Sequence, residues 1–184
     1  MLKNIMAAFT LVVVTLLHTG CGTKEIAIAP SLQGKLYTQA NMWEEKSRVY
    51  STNYSRGMII PVNSEITIDS MTNKAIVFTV KKTSQQVTLL NVEKHTQLSS
   101  EDLAKQIFAS KPVSVKSFSK TAQDAIKYGE VKAGMTKKEV LASRGFPPAI
   151  LTNSLDQNSW MYQQHRFKKM RIDFENGKVA KVVH

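Results

Sequence analysis

One helix is signalled by residues 134–145, which read Gly-Met-Thr-Lys-Lys-Glu-Val-Leu-Ala-Ser-Arg-Gly. Thr136 and Glu139 have the Thr-x-x-Glu spacing of a capping box. In that motif each side chain accepts a hydrogen bond from a backbone N–H that the first helical turn leaves unpaired. Met135 and Val140 occupy the flanking positions of a hydrophobic staple. The stretch therefore predicts that a helix begins directly after Thr136.

The same stretch also contains the end of its helix. Arg144 suits the last turn, where a cation opposes the negative end of the helix dipole, and Gly145 suits the C-cap. Pro147 follows, and a further proline after it forbids continuation because proline lacks a backbone N–H. The helix is predicted from about Lys137 to Ser143.

A second helix is predicted upstream and three strands downstream. Ser119 can cap a helix that carries Ala122, Ala125 and Ile126 and closes at Gly129. Alternating apolar side chains then predict strands whose inward residues are Trp160, Tyr162, Met170, Ile172 and Phe174. The pair Asn176-Gly177 is typical of a hairpin turn in which both residues have φ above zero, with residues 178–183 returning. The order predicts an α+β domain over residues 119–184, with two helices on one face of a small antiparallel sheet.

Residues 35–110 have the pattern of a β-rich module that ends in a helix. Short β-branched runs at residues 66–68, 75–80 and 87–92 are separated by polar clusters, which is typical of a small antiparallel sheet or barrel. We expect an SH3-like barrel here. Ser99 followed by acidic residues predicts the terminal helix, and residues 110–120 form the expected boundary between the two modules.

The N-terminus resembles a bacterial lipoprotein signal. Residues 1–20 combine one lysine with a short apolar run, too short to span a bilayer, which takes about 20 apolar residues. The run leads through small residues into Cys21, the only cysteine of the chain. We therefore expect lipidation at Cys21, followed by a tether over residues 21–34. The alternative is ordinary secretory cleavage after the A-x-A pattern at residues 27–29.

The charge is concentrated in the second half. The chain carries a formal net charge of +11, and from Lys111 onward it holds 14 Lys/Arg against 6 Asp/Glu. In an exported protein this balance points to anionic lipid head groups, lipopolysaccharide phosphates or an acidic protein partner. We expect no nucleic-acid partner, because the chain is exported.

The ordered motifs of residues 120–183 resemble the BamE (SmpA/OmlA) lipoprotein domain. The matching positions are Gly134, Met135, Thr136, Glu139, Val140, Gly145, Pro147, Trp160, Tyr162, Phe174 and Gly177. The resemblance implies an ααβββ fold in a periplasm-facing lipoprotein of the outer membrane, and an accessory role in the machinery that inserts β-barrel proteins. It also implies that Gly22, where an aspartate would retain the protein in the inner membrane, favours the outer membrane.

No catalytic motif is present, and we expect neither an enzyme nor a cofactor or metal site. Neighbouring strands could bring His165, Asp173 and His184 together as a metal site, but we expect these side chains to be solvent-facing or capping instead. Trp160 and Tyr162 are expected in the core, the alternative being an aromatic patch that faces a partner. Trp43, among charged neighbours, is expected at a rim.

The candidate binding residues are Arg166, Lys168, Lys169 and Arg171. Arg171 should share the outward face of its strand with Asp173, while the other three crowd the preceding turn. We hypothesise that they bind anionic head groups or an acidic partner, the alternative being a merely solvated face. The expected function is that of a non-catalytic outer-membrane lipoprotein, a scaffold or accessory factor in envelope assembly. The alternative is a binding module that recognises cell-wall glycan or inhibits an enzyme.

Overall fold

The computed structural model describes residues 22–184, so the signal peptide predicted for residues 1–20 and the lipidation predicted at Cys21 lie outside the described residues. Short 3₁₀ turns occur at Pro30–Leu32 and Val115–Ser117. The helices are α1 (Glu93–Thr96), α2 (Ser100–Ile107), α3 (Lys120–Lys127) and α4 (Lys137–Arg144). The strands are β1 (Leu36–Thr38), β2 (Met42–Glu45), β3 (Arg48–Tyr50), β4 (Met58–Ile60), β5 (Glu65–Met71), β6 (Ala75–Val80), β7 (Gln85–Leu90), β8 (Phe108–Ala109), β9 (Ser159–His165), β10 (Lys168–Glu175) and β11 (Lys178–Val183). The predicted α+β class is confirmed.

The first module is built on an eight-stranded sheet in the order β4-β2-β3-β7-β6-β5-β1-β8. Its neighbours are antiparallel except for β3 and β7, which run parallel with Tyr50 opposite Leu90. Strand β8 directly follows α2 and pairs with β1 at the edge of the sheet. The predicted strands and the Ser99-capped helix are present. The sheet is thus larger than the small antiparallel one expected, and it contains one parallel pair.

The segment expected to be a tether is largely part of this module. The backbone N–H of Lys24 donates to Asn73 Oδ1 at 2.9 Å, and that of Ile26 donates to the Met71 carbonyl at 2.9 Å. Ile28 contacts the core, and Leu32 is only 1 % exposed. The tether prediction for residues 21–34 is corrected accordingly, because these apolar side chains bury against the first sheet and leave few residues free.

The second module has the predicted ααβββ order. Its sheet is β11-β10-β9, with both pairs antiparallel. The hairpin turn has φ of 51° at Asn176 and 73° at Gly177, as predicted. Helices α3 and α4 cover one face, where a core separate from that of the first module is formed by Ala122, Ala125, Met135, Val140, Trp160, Tyr162, Met170, Ile172, Phe174 and Val179.

The capping box at the start of α4 also connects it to α3. Thr136 Oγ1 accepts from the Glu139 N–H, and Glu139 Oε2 accepts from the Thr136 N–H at 2.7 Å, as predicted. The other carboxylate oxygen accepts from the Ser119 N–H at 2.8 Å, directly before α3. Burial raises the pKa of the Glu139 carboxyl, but the hydrogen bonds from Thr136 and Ser119 outweigh it and hold that pKa below its usual 4.5. One carboxylate therefore fixes the starts of two helices.

Replacing Glu139 with Gln should reduce the pH dependence of folding stability. The pKa of Glu139 is lower in the folded chain than in the unfolded chain, so the carboxylate stabilises the fold above about pH 4.5 and this contribution is lost as the pH falls below that value. We expect Glu139→Gln to lose about 1 kcal/mol at pH 7, with the difference from the wild type shrinking towards pH 3. Urea unfolding followed by circular dichroism between pH 7 and pH 3 measures this, and a constant difference across that range would contradict it.

Candidate functional site

Asn41 joins the two modules through a buried side chain. It is 1 % exposed and lies directly before β2 of the first module. Its Oδ1 accepts from the Val62 N–H of the same module at 2.8 Å. Its Nδ2 donates to the carbonyls of Ile126, at 2.6 Å, and Ser143, at 3.2 Å. The Ser143 carbonyl belongs to the last turn of α4, where helices leave backbone acceptors unpaired. The Ile126 carbonyl, in the last turn of α3, also accepts from the Gly129 N–H at 3.1 Å.

Asn53 makes a second set of cross-module bonds beside it. Its Nδ2 donates to the Arg144 carbonyl at 2.9 Å and to the Asn41 carbonyl at 3.0 Å, while its Oδ1 accepts from the Trp43 N–H at 3.1 Å. Gly145 follows with φ of 74°, and a Cβ there would lie 2.7 Å from Asn53 Nδ2. The glycine predicted as a helix stop is therefore also required by the contact between modules.

Trp43 is not at a rim, and that prediction is wrong. It is 7 % exposed, and the Arg144 guanidinium carbon lies 4.5 Å from its ring centroid. A Cβ on Gly129 would approach Trp43 Cζ2 to 2.3 Å, so the ring lies directly against the loop that follows α3. The prediction assumed that charged neighbours are exposed. Glu44 is instead buried, and its carboxylate accepts from the Ser47 N–H. We call the set Asn41, Trp43, Asn53 and Arg144 the junction.

The four predicted cations lie on the hairpin of β9 and β10, and all four are exposed. Arg171 Nε contacts Asp173 Oδ1 at 3.1 Å, which confirms the predicted shared face and neutralises that cation. Within residues 22–184, Arg166, Lys168 and Lys169 form no ion pair. At the hairpin tip Phe167 is 84 % exposed, with the Arg166 guanidinium carbon 5.3 Å from its ring centroid. Counting charges in the sequence does not reveal that an exposed aromatic ring lies among these unpaired cations.

Residues of the first module extend this cationic face. The Ser55 N–H donates to the Gln164 carbonyl at 3.0 Å, which brings the loop after β3 against β9. A groove of about 220 Å³ is formed there by Trp43 and Glu45 together with Arg48, Tyr50, Tyr54, Arg56, His165 and Arg166. We call Arg48, Arg56, Arg166, Lys168 and Lys169, with Tyr50, Tyr54 and Phe167, the basic surface.

Only part of the basic surface is locally neutralised. Arg56 pairs with Glu45 at 2.9 Å, and the rings of Tyr50 and Tyr54 contact each other with centroids 5.9 Å apart. Sequence reasoning found the hairpin cations but not Arg48 or Arg56. More than 100 residues separate the two groups in the chain, and the packing of the loop after β3 against β9 brings them together.

The residues of the family resemblance are structural. Met135, Val140, Trp160, Tyr162 and Phe174 are buried, so Trp160 and Tyr162 occupy the core as expected rather than a partner-facing patch. The Tyr162 hydroxyl donates to the Gly145 carbonyl at 2.9 Å and thereby joins this core to the junction. Gly134 and Gly177 hold turns with φ of 84° and 73°.

An apolar cavity of about 230 Å³ also lies between the modules. The first module contributes Met42, Leu89 and Leu103, and the second contributes Phe146 and Pro147. Pro147, predicted only as a helix stop, thus forms part of the wall of a cavity.

Among residues 22–184 no three His, Cys, Asp or Glu side chains are grouped as metal ligands, so His165, Asp173 and His184 are not brought together. In the same part of the chain no helix has the length and apolar character needed to cross a bilayer. Comparison with protein-family models, with curated proteins and with solved structures finds no match to this chain.

Truncating Asn41 should destabilise the whole chain. Asn41→Ala leaves the Ser143 carbonyl and the Val62 N–H unpaired in a buried place, and we expect a loss of about 2–4 kcal/mol. Asn158→Ala is the matched control, because Asn158 is exposed, and it should change stability by less than about 0.5 kcal/mol. Urea unfolding measures both variants, and equal stabilities would show that the junction contributes nothing.

Proposed function

We propose that this chain is a non-catalytic lipoprotein of the bacterial outer membrane that acts as a scaffold or accessory factor in envelope assembly. A lipid on Cys21 anchors it, and the basic surface contacts an anionic partner. The observation that carries the proposal is the exposed Phe167 ring among unpaired cations, on a surface that both modules build. Cations attract anionic groups over a Debye length, and an exposed aromatic ring adds apolar contact area.

The position of the anchor supports contact with the membrane. Only Gly22 and Thr23 separate Cys21 from Lys24, whose backbone is bonded to Asn73. That length of chain spans at most about 11 Å. A lipid on Cys21 would hold the first module against the head groups instead of at the end of a long flexible linker.

The segment that follows the anchor and Tyr50 of the basic surface also lie at one end of the first sheet. The pairings Met71 with Ile76, Ala75 with Leu90, and Tyr50 with Leu90 align the ends of β5, β6, β7 and β3. Three strand spacings, or about 14 Å along the sheet, therefore separate the strand that receives the anchor segment from the one that carries Tyr50. An anchored molecule would hold this end towards the membrane.

For the two modules we propose an SH3-like barrel followed by a BamE-like domain. Support for the second assignment comes from the ααβββ order and from the positions of the resembling residues in its core and turns. The resemblance further leads us to propose the barrel-assembly machinery as a partner.

Neutralising the hairpin should weaken binding to anionic membranes. The triple variant Arg166→Gln, Lys168→Gln and Lys169→Gln removes three unpaired cations, each contributing about 1 kcal/mol near an anionic surface. We expect a loss of roughly a hundredfold in affinity for vesicles of phosphatidylglycerol and phosphatidylethanolamine, measured by co-sedimentation.

A charge-matched triple variant is the control for this experiment: Lys81→Gln, Lys82→Gln and Lys138→Gln. Lys81 and Lys82 follow β6 at the opposite end of the sheet, and all three lysines are exposed. This variant should retain most of the binding. If the hairpin variant bound as well as the control variant, the basic surface would have no role in lipid contact.

The partner is tested by a pull-down of the natively lipidated, tagged protein in mild detergent, followed by mass spectrometry. We expect subunits of the barrel-assembly machinery to be recovered, and to be lost with Cys21→Ala, because the lipid holds the chain close to a weak partner and raises its effective concentration. Recovery of a different envelope complex, or equal recovery with Cys21→Ala, would contradict the proposal.

One observation favours the alternative of glycan recognition. Tyr50 and Tyr54 line the groove beside Arg48 and Arg56, and aromatic rings next to cations suit an acidic saccharide. Co-sedimentation with isolated peptidoglycan distinguishes the two functions, since only the glycan-binding one predicts that the protein pellets.

A further inference from the structure

A second groove, of about 430 Å³, lies at the junction on the side of α3 and α4. The first module contributes Trp43 and Ser55 to it. The second module contributes Arg144 at the end of α4, Gln164 on β9, and the loop that follows α3. We call it the Arg144 groove. It is separate from the hairpin cations Lys168 and Lys169, which do not line it.

Arg144 brings a buried charge to this groove without a counter-ion. The residue is 5 % exposed, and no carboxylate within residues 22–184 lies within 4.0 Å of its guanidinium nitrogens. Burial lowers the pKa of Arg144 to about 10, which leaves it protonated at neutral pH. A buried charge without a partner is unfavourable by several kcal/mol, so an anion at this place would be stabilised.

The hydrogen bonds of the guanidinium are incomplete. Nη1 donates to the Gly129 carbonyl at 3.3 Å, and Nη2 donates to Ser55 Oγ. Nε is buried and has no partner within the described part of the chain. Glu130, which also lines the groove, does not supply the missing anion, because its carboxylate is paired with Lys132 at 2.6 Å. The unneutralised side-chain charge of the groove is therefore that of Arg144.

Gln164, in the same groove, has an unpaired hydrogen-bond acceptor. Its Nε2 lies 3.2 Å from His184 Nδ1, whereas its Oε1 is buried and receives no hydrogen bond within residues 22–184. Buried polar atoms are nearly always paired. The Arg144 groove thus combines an unpaired cationic donor with an unpaired neutral acceptor.

We propose that the Arg144 groove binds a small carboxylate that carries an N–H beside it, the chemistry of an N-acylated amino acid or of a peptide C-terminus. The carboxylate accepts from Arg144 Nε and neutralises the guanidinium, while the neighbouring amide N–H donates to Gln164 Oε1. Charge-assisted bonds to a guanidinium are about twice as strong as neutral ones, so the carboxylate supplies most of the affinity and the N–H supplies selectivity.

Three probes separate these two contributions: N-acetylglycine, acetate and N-acetylglycinamide. The readout is the Arg144 Nε–H resonance of the full-length protein in detergent micelles, assigned with Arg144→Lys. We expect saturable downfield shifts with N-acetylglycine and with acetate, about tenfold weaker for acetate because it cannot donate to Gln164. N-acetylglycinamide, which lacks the charge, should leave the resonance unchanged.

Two variants that keep Arg144 test whether Gln164 supplies the selectivity. Gln164→Leu keeps the charge and should reduce the affinity for N-acetylglycine to that for acetate. Lys138→Gln, which removes an exposed cation that does not line the groove, should leave both affinities within about twofold. The proposal is overturned if N-acetylglycine produces no saturable shift, if its amide produces the same shift, or if acetate binds equally well to the wild type.

Discussion

The fold depends on one constraint: the carbonyl groups at the C-terminal end of α4 must find donors in a place that water does not reach. In this protein the donors come from the other module. The Asn41 backbone N–H pairs the Ala142 carbonyl, its side chain pairs the Ser143 carbonyl, and the Asn53 side chain pairs the Arg144 carbonyl. A helix end buried without partners is unfavourable, so α4 cannot keep its packing if the first module moves away. The two hydrophobic cores, which are formed by separate parts of the sequence, are thereby joined into one structure.

The junction also determines which surfaces exist. Arg48 and Arg56 are brought near Arg166 only because the loop after β3 is held against β9. The same contact places Trp43 over Arg144 and leaves that guanidinium buried without a carboxylate. A basic outer face and an incompletely paired inner groove therefore both result from the contact between the two modules. This arrangement suits a protein whose interactions, as we propose, are binding rather than catalysis.

Local signals in the sequence were sufficient for the second module. The Thr136–Glu139 box, the strand alternation and the Asn176-Gly177 turn depend on residues close in the chain, and each is present as predicted. The hairpin cations were found for the same reason. The junction could not be predicted, because hydrogen bonds such as that from Asn41 to Ser143 join residues 102 positions apart and leave no local pattern. Trp43 was misplaced because a charged neighbourhood predicts exposure unless those charges are paired internally.

Native-state hydrogen exchange of the full-length protein tests the central claim most directly. If the junction makes the modules one cooperative unit, the slowest amides of the first core, such as Phe78, and of the second, such as Ile172, should open with the same free energy and the same dependence on denaturant. Opening energies that differ by more than about 1 kcal/mol, with separate denaturant slopes, would show two independent domains and contradict the account.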